Sequence, residues 1–208
     1  MIYSEKISGK YTYLRQVQVE DAEFILSLRT DPVYSLYIND TENDLDIQIE
    51  WIKQQYTKPY DYYFVICDLN HHSKGVISLY NFDSDKINAE MGRLICPKAQ
   101  IQLYETLILI HDFAFDRLGL TRLFYKENPE NYDVIAVTRK FGAEFVREGS
   151  HANSNLKYME FQIKKVNWPE LRVKNNMRLE KYVMLINRSN ENIVPDGSLN
   201  SINTSIYK

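Results

Sequence analysis

The sequence predicts a single α/β domain whose central sheet is mixed, mostly antiparallel and covered by helices on both faces. The first indication is the order of the periodic segments, β-α-α-β-β-β-α-β-α-β-β followed by one more helix. The second is a block of three consecutive strand segments, followed by a long helix that crosses to a fourth strand. With 208 residues, of which 44% are hydrophobic, the chain is long enough to bury a full core.

About seven segments have the alternation and the aromatic or β-branched content of strands. A turn-forming segment, NHHSK, separates two of them, and Pro97 ends another. The predicted strands cover residues 11–18, 62–69, 75–82, 86–97, 121–128, 143–151 and 156–166.

Helices are predicted where apolar residues recur at intervals of three and four and where start and stop signals flank them. The strongest pattern ends at Gly119, and a shorter helix is expected to begin after Asn131 and to end at Gly142. Pro169 lies in the first turn of the last helix, where its missing N–H does no harm. The predicted helices cover residues 20–32, 44–56, 100–118, 131–142 and 168–188.

This pattern divides the chain into one domain and a C-terminal extension. Residues 1–167 are expected to form the domain. Residues 168–188 are expected to form a helix that packs on the domain or in a homodimer. Residues 189–208 are rich in Asn and Ser and are expected to form a loose tail.

Composition argues against several classes of protein. The formal net charge is −3 and no Lys/Arg-rich block occurs, so neither a nucleic-acid partner nor an anionic membrane is expected. No apolar run is long enough for a membrane span or a signal peptide. Cys67 and Cys96 lie separately in apolar strand segments, which is typical of reduced cysteines in a cytoplasmic protein. No metal is expected, because His71 and His72 have no third ligand at a suitable spacing.

The segment RLGLTRLFYKENPENYDVIAVTRKFGAEFVREG resembles the second half of the GCN5-related N-acetyltransferases (GNAT enzymes). The resemblance is greatest to the branch of ribosomal-protein N-terminal and nucleotide-amino-sugar acetyltransferases. Upstream, KGVISLYNF and NAEMGRLICP are similar to the family's hairpin and central strand, and the match extends over about residues 11–165. The residues that carry it in the second half are Leu118, Gly119, Asn128, Asn131, Lys140, Gly142 and Phe145.

The resemblance implies an N-acyltransferase that passes an acetyl group from acetyl-CoA, as co-substrate, to a primary amine of a small molecule by direct transfer in a ternary complex. It also implies that coenzyme A lies where two parallel strands separate. The pyrophosphate would then lie at the N-terminus of the long helix, where free N–H groups and the helix dipole favour anions. The cofactor-binding residues expected on this basis are Leu94, Ile95, Lys98, Gln100, Ile101, Gln102 and Asn131.

The chain departs from the family at its pyrophosphate loop. Relatives have Arg/Gln-x-x-Gly-x-Gly/Ala there, whereas this chain has PKAQIQLYETL, without any glycine between Gly92 and Gly119. Lys98 is either a compensating charge or a solvated lysine. The departure leaves two alternatives open: a catalytically degenerate binding or scaffolding protein, and an acyltransferase that uses a carrier-protein thioester.

Two proton-transfer roles are needed for amide formation from a thioester. Glu90 matches the family's strand glutamate and is expected to assist deprotonation of the amine, although it could instead pair with Arg93. Thr138 occupies the position of the tyrosine that many relatives use to protonate the departing thiolate. A water molecule and Tyr132 are the alternatives for that second role.

The acceptor pocket is expected between the first two helices and the last hairpin. Arg29 lies in LRTDP, which resembles the Trp-Arg-Asn-x-Pro step of amino-sugar acetyltransferases and so favours a nucleotide-linked amino sugar. Tyr37 and His151 are the other expected substrate-binding residues. The acidic segment YINDTENDLD would favour a cationic amine, or it is simply a solvated loop.

Overall fold

The computed structural model describes residues 3–97, 100–151 and 156–191. Within these ranges, eight strands form one sheet in the order β1-β2-β3-β4-β5-β6-β8-β7, and every pair of neighbours is antiparallel except β5 and β6. The predicted fold class is thereby confirmed, with the two-residue β1 as an addition. The strands are β1 Ile7–Ser8, β2 Thr12–Gln16, β3 Tyr62–Asp68, β4 Ser73–Tyr80, β5 Asn88–Ile95, β6 Arg122–Glu127, β7 Glu144–Ser150 and β8 Lys157–Lys164.

Each predicted helix is present, and its boundaries have local causes. Asp44 and Asn131 cap two helices, because their side chains accept hydrogen bonds from Ile47 N at 3.0 Å and Val134 N at 3.3 Å. Gly142 ends a helix with a φ of +110°, in the left-handed region that glycine enters without strain. The helices are α1 Ala22–Thr30, α2 Leu45–Thr57, α3 Gln100–Asp112 with a π-helical continuation Phe113–Arg117, α4 Tyr132–Phe141 and α5 Trp168–Glu191.

The helices cover the sheet on both faces. Alternate residues of β3 point to opposite sides, and its six residues from Tyr62 to Cys67 are all buried. Tyr63 and Val65 pack in a cluster with α1 and α2, whereas Phe64 and Ile66 pack in a larger cluster with α3, α4 and α5. No helix in the described ranges has both the length and the apolar character needed to cross a bilayer.

The orientation of α2 differs from the one that its apolar residues predict. The spacing predicts a buried face of Leu45, Ile49 and Ile52, but Leu45 is 43% exposed. The buried residues of this helix are Gln48, Ile52 and Gln55. Relative to the prediction, the helix is therefore rotated about its own axis. Ile52 is buried as expected, but the side chains of Gln48 and Gln55, rather than that of Leu45, face the protein interior.

The parallel pair β5–β6 is short. Its register joins Asn88 to Arg122, Ala89 to Leu123 and Glu90 to Phe124, and no pairing between the two strands continues beyond Glu90. On the other side of β5, Val76 pairs with Ile95 and Ser78 with Gly92, so a bulge places two residues opposite Ile77. Arg93 within that bulge has a φ of +51°. The sheet is thus split between β5 and β6 immediately after Glu90.

The C-terminal helix α5 packs on α3. The Trp168 ring stacks on His111 with their centroids 4.6 Å apart, and its Nε1 donates to Asp112 Oδ1 at 2.8 Å. The buried Asn175 side chain donates to Phe141 O at 2.8 Å and accepts from Tyr104 Oη at 3.0 Å. Residues 192–208, most of the predicted loose tail, lie outside the described residues.

These contacts make Trp168→Ala a test of whether α5 is docked in solution. Trp168 is only 2% exposed, so its truncation leaves a cavity and is expected to lower the free energy of unfolding by about 3–5 kcal/mol. Urea denaturation followed by circular dichroism measures the loss. Val166→Ala is the control, because Val166 is 80% exposed and its loss should cost less than about 0.5 kcal/mol. Equal midpoints for the two variants would contradict docking of α5.

Candidate active site

Glu90 is held at the point where β5 and β6 separate. It is 5% exposed, and its carboxylate accepts hydrogen bonds from Tyr80 Oη at 2.9 Å and Asn81 Nδ2 at 3.0 Å. The Lys126 ammonium lies 3.4 Å from Oε2. Arg93, the alternative partner that the sequence suggested for Glu90, pairs with Asp61 instead. Three donors from β4, β6 and the turn after β4 therefore fix the orientation of the Glu90 carboxylate.

Tyr80 is the neighbour of Glu90 across the β4–β5 ladder. Gly92, two residues after Glu90, makes room for it: a Cβ there would lie 2.6 Å from the Tyr80 hydroxyl oxygen. Burial, together with the adjacent Glu90 carboxylate, raises the pKa of Tyr80 well above its usual value. Tyr80 is therefore a neutral phenol that donates a hydrogen bond to Glu90. The sequence did not predict a role for Tyr80.

A second acidic group, Glu127, lies at the end of β6 beside Thr138 of α4. The Thr138 hydroxyl donates to Glu127 Oε1 at 3.5 Å. Burial, opposed by the Thr138 hydrogen bond and reinforced by the nearby charge of Glu90, raises the pKa of Glu127 to about 7. Near neutral pH this carboxyl is present in both protonation states. The sequence did not single out Glu127, because its environment depends on which residues of other elements, such as Thr138 of α4, lie beside it.

The other predicted proton donor and the predicted cofactor asparagine lie at the start of α4. Tyr132 is 76% exposed, whereas Thr138 is partly buried on the side that contacts Glu127. Asn131 has its helix-capping role. No group of three His, Cys, Asp or Glu side chains suited to a metal ion occurs in the part of the chain that the structure describes.

The gap between β5 and β6 has features that fit an extended, hydrogen-bonding ligand. Beyond Glu90, no strand pairs with the β6-facing edge of β5 in the described residues, so the backbone of Leu94 and Ile95 lies along an open edge. Ile95 itself is 6% exposed and packs in the core, so only its backbone is available. A ligand with its own amide groups can use such an edge.

Helix α3 is the element that follows β5 along the chain. Gln100 is its first residue, Ile101 and Gln102 are partly buried in its first turn, and that turn contains no acidic residue. A helix N-terminus without acidic side chains is compatible with an anionic group. Lys98 lies outside the described residues.

A cavity of about 430 Å³ opens on the α1–α2 side of the sheet. Arg29, Gln48 and Trp51 line it from the helices, and Tyr80 and Arg93 line it from the sheet. Its volume lies within the range of small-molecule sites. Because Tyr80 lines the cavity and also donates to Glu90, this cavity is joined to the carboxylate at the strand separation.

Arg93 forms a rigid part of the cavity lining. Its guanidinium donates to both oxygens of Asp61, at 2.7 and 3.0 Å. It also lies over the Tyr80 ring at 4.2 Å and the Trp51 ring at 5.3 Å. The positive charge of Arg93 is therefore already paired within the protein.

The predicted acceptor residues are only partly brought together. Arg29 lines the cavity, whereas Tyr37 is 37% exposed in the segment between α1 and α2 and is not part of the lining. His151 follows β7, and its ring contacts the Tyr158 ring with a centroid separation of 5.0 Å. The Lys126 ammonium lies 5.2 Å from the same Tyr158 ring, which connects His151 indirectly to the Glu90 side of the sheet.

The acidic segment contributes two carboxylates to the cavity. Asp40 and Glu42 line it and are exposed to solvent. Asp44 instead caps α2, and Asp46 is exposed within that helix. The acidic groups therefore lie at the mouth of the cavity rather than in its interior.

Most of the fold is shared with solved acetyltransferases. A GCN5-related N-acetyltransferase from Brucella melitensis superposes with a TM-score of 0.72 at 17% identity, covering 85% of this chain and 86% of that one. FdhC, a nucleotide-linked sugar GNAT, gives 0.69 at 24% identity and coverages of 83% and 97%. A spermidine N-acetyltransferase chimera from Vibrio cholerae and hSSAT gives 0.67 at 16% identity and coverages of 76% and 98%.

The sequence itself carries the family assignment. No curated protein shows a significant match to the chain. The family model of the acetyltransferase (GNAT) domain, however, matches residues 12–144, which is more than half of the 208 residues. That range contains β2 to β6, the strand separation, Glu90, Thr138 and the residues that line the cavity. The chain therefore belongs to the GNAT family and is an N-acetyltransferase.

Proposed function

We propose that this protein transfers an acetyl group from acetyl-CoA to the primary amine of a small molecule, by direct attack in a ternary complex. The observation that carries the proposal is the position of Tyr80, which lines the cavity of about 430 Å³ and donates to Glu90 at 2.9 Å. An amine bound in that cavity is adjacent to a proton-accepting pair at the strand separation.

Glu90 accepts the proton that the ammonium group must lose before it can attack. Tyr80 relays it: as the neutral phenol takes a proton from the amine, its own proton passes to the Glu90 carboxylate. Asn81 and Lys126 hold the carboxylate so that one oxygen stays directed at Tyr80. The chemistry requires no movement of these residues, because their hydrogen bonds are already formed.

Thr138 and Glu127 supply the proton that the departing sulfur needs. A carboxyl with a pKa of about 7 is protonated in a useful fraction of molecules at neutral pH, unlike an ordinary glutamate. Protonated Glu127 can pass its proton to the Thr138 oxygen while the Thr138 proton is released toward the sulfur. This pair would replace the tyrosine of many relatives. The exposed Tyr132 is a weaker candidate for the role.

Acetyl-CoA supplies the activated thioester. The open edge of β5 at Leu94 and Ile95 would hold the pantetheine arm through backbone hydrogen bonds, with Asn131 on the opposite side of the gap. The first turn of α3, Gln100 to Gln102, would hold the pyrophosphate through its free N–H groups. An ordinary helical first turn offers these groups without glycine.

The acceptor proposed here is a nucleotide-linked amino sugar. The LRTDP step places Arg29 in the cavity, and FdhC, which has a similar fold, is a nucleotide-linked sugar GNAT. Polyamines are the alternative class, because a spermidine acetyltransferase also shares the fold. The acidic mouth formed by Asp40 and Glu42 would favour the polycationic class of the two.

The first test is acetyl-CoA binding by calorimetry, combined with release of the free thiol in the presence of candidate amines. We expect Glu90→Gln to lower kcat by about 10²-fold while leaving acetyl-CoA affinity unchanged, because the amide cannot accept the proton. Glu148→Gln is the matched control, since Glu148 is an exposed glutamate on β7.

Two outcomes would contradict the proposal. Absence of acetyl-CoA binding at millimolar concentration would exclude this donor, and activity with a carrier-protein thioester alone would then identify the donor instead. A Glu90→Gln variant with unchanged kcat would exclude the role of Glu90.

The raised pKa of Glu127 leads to a test by pH. Its carboxyl holds a proton in the folded state up to about pH 7, but only to about pH 4.5 in the unfolded chain. The contribution of Glu127 to the free energy of unfolding therefore falls as the pH rises from about 4.5 to about 7. Glu127→Gln mimics the protonated form, so we expect it to match the wild type at pH 4.5 and to be the more stable of the two at pH 8.

The same variant tests the proton-donating role. The wild-type kcat should fall above about pH 7, as Glu127 loses its proton, and Glu127→Gln should have a lower kcat without this falling limb. Equal stability of the two proteins at pH 8 would show that the carboxyl is not perturbed. An unchanged pH profile would remove Glu127 from the mechanism.

A further inference from the structure

The interior of the acceptor cavity contains a guanidinium without an anionic partner. Arg29 Nε donates to Thr41 Oγ1 at 2.9 Å, which anchors the side chain at one end. Within the described residues, no carboxylate lies within ion-pair distance of Arg29, and neither of its terminal nitrogens has a hydrogen-bond acceptor. Burial lowers the pKa of Arg29, as does the nearby Arg93, whereas Tyr63 raises it. A partly buried, unpaired guanidinium is a ready site for an anion.

A second donor in the same cavity has no partner. Gln48 is 5% exposed and lines the cavity from α2. Its Nε2 has no hydrogen-bond partner in the described structure, although buried amide groups in proteins are normally satisfied. A ligand atom that accepts a hydrogen bond would complete this group. Gln48 is independent of Arg29, because the two side chains come from different helices.

The remaining charges of the cavity do not meet this need. Arg93 is already paired with both oxygens of Asp61, and Tyr80 donates to Glu90. The acidic residues at the mouth are exposed, so solvent screens them and they form no ion pair with Arg29. The cavity therefore has two parts. One part contains the hydrogen-bond donors of Arg29 and Gln48 that lack an acceptor, and the other contains Tyr80, which is hydrogen-bonded to Glu90.

We propose that the acceptor amine also carries a carboxylate or phosphate group, and that Arg29 and Gln48 bind this group and thereby select the substrate. This inference rests on the proposed acetyl transfer to an amine in this cavity. The planar guanidinium can donate to two oxygens of either anion. The Gln48 amide can donate a third hydrogen bond to the same anionic group. A purely cationic polyamine would leave both donors unmet and would place a positive charge beside Arg29.

The experiment compares amines that differ only in the anionic group. Glucosamine 6-phosphate is paired with glucosamine, and alanine with alaninamide, and inorganic phosphate and acetate serve as probes without an amine. Binding is measured by calorimetry on the full chain with and without acetyl-CoA, and transfer by thiol release. We expect the anionic member of one pair to have a Kd or KM lower by about 10-fold or more. The pair that shows the effect distinguishes phosphate from carboxylate.

Two substitutions connect the preference to the named side chains. Arg29→Gln and Gln48→Glu should each abolish the preference for the anionic member, mainly through KM, since one removes the charge and the other replaces a donor by a repelling carboxylate. Gln48→Glu preserves the size of the side chain, so it remains informative if Arg29→Gln does not fold. Glu50→Gln is the control, because Glu50 is exposed on the same helix as Gln48 and is not part of the cavity lining, and it should leave the preference unchanged.

The outcomes separate this inference from the proposed function. If no amine is acetylated but an anion binds in an Arg29-dependent way, the transfer proposal fails and the anion site stands. If spermidine or neutral amines are acetylated as well as the anionic ones, and Arg29→Gln has no effect, the transfer stands and the anion site is excluded. Absence of any Arg29-dependent anion binding, with every probe, also overturns it.

Discussion

The separation of β5 from β6 is the constraint on which the candidate site depends. Only three residue pairs join these parallel strands, and the pairing stops at Glu90 and Phe124. The bulge on the opposite edge of β5 carries Arg93 in a left-handed conformation, which costs roughly 1–2 kcal/mol and persists because Arg93 is tied to Asp61 and packed against aromatic rings. Strand β5 therefore borders the gap along its β6-facing edge, and its residue Arg93 lines the cavity.

The buried charged groups around this separation differ in how well they are paired. The Arg93–Asp61 pair is satisfied within the protein, and Glu90 receives three donors. Glu127, by contrast, lies close to Glu90 and is held at a pKa of about 7, a state that an ordinary structural glutamate would not need. Unequal treatment of two neighbouring carboxyl groups is the pattern expected where one accepts and the other donates a proton.

Much of the fold could be predicted from the residues. The order of elements, the caps at Asn131 and Gly142 and the end of α3 near Gly119 follow from local preferences that act within a few residues. The rotation of α2 could not be predicted, because apolar spacing favoured Leu45, whereas the packing of two helices on one sheet face buried Gln48. That rotation matters for the site, since it delivers an amide to the acceptor cavity.

The sequence alone determined the family, the α/β fold and the candidates Glu90, Thr138 and Arg29, because these depend on residue order and on register along single strands and helices. Only the tertiary structure identified Tyr80, Glu127 and Gln48 as candidate groups. Tyr80 stands out by its hydrogen bond to Glu90 across the ladder, Glu127 by its raised pKa, and Gln48 by the absence of a hydrogen-bond partner for its Nε2 in the described structure. A pKa or an unmet hydrogen bond is a property of surroundings that come from distant parts of the chain, and such surroundings exist only once the chain is folded.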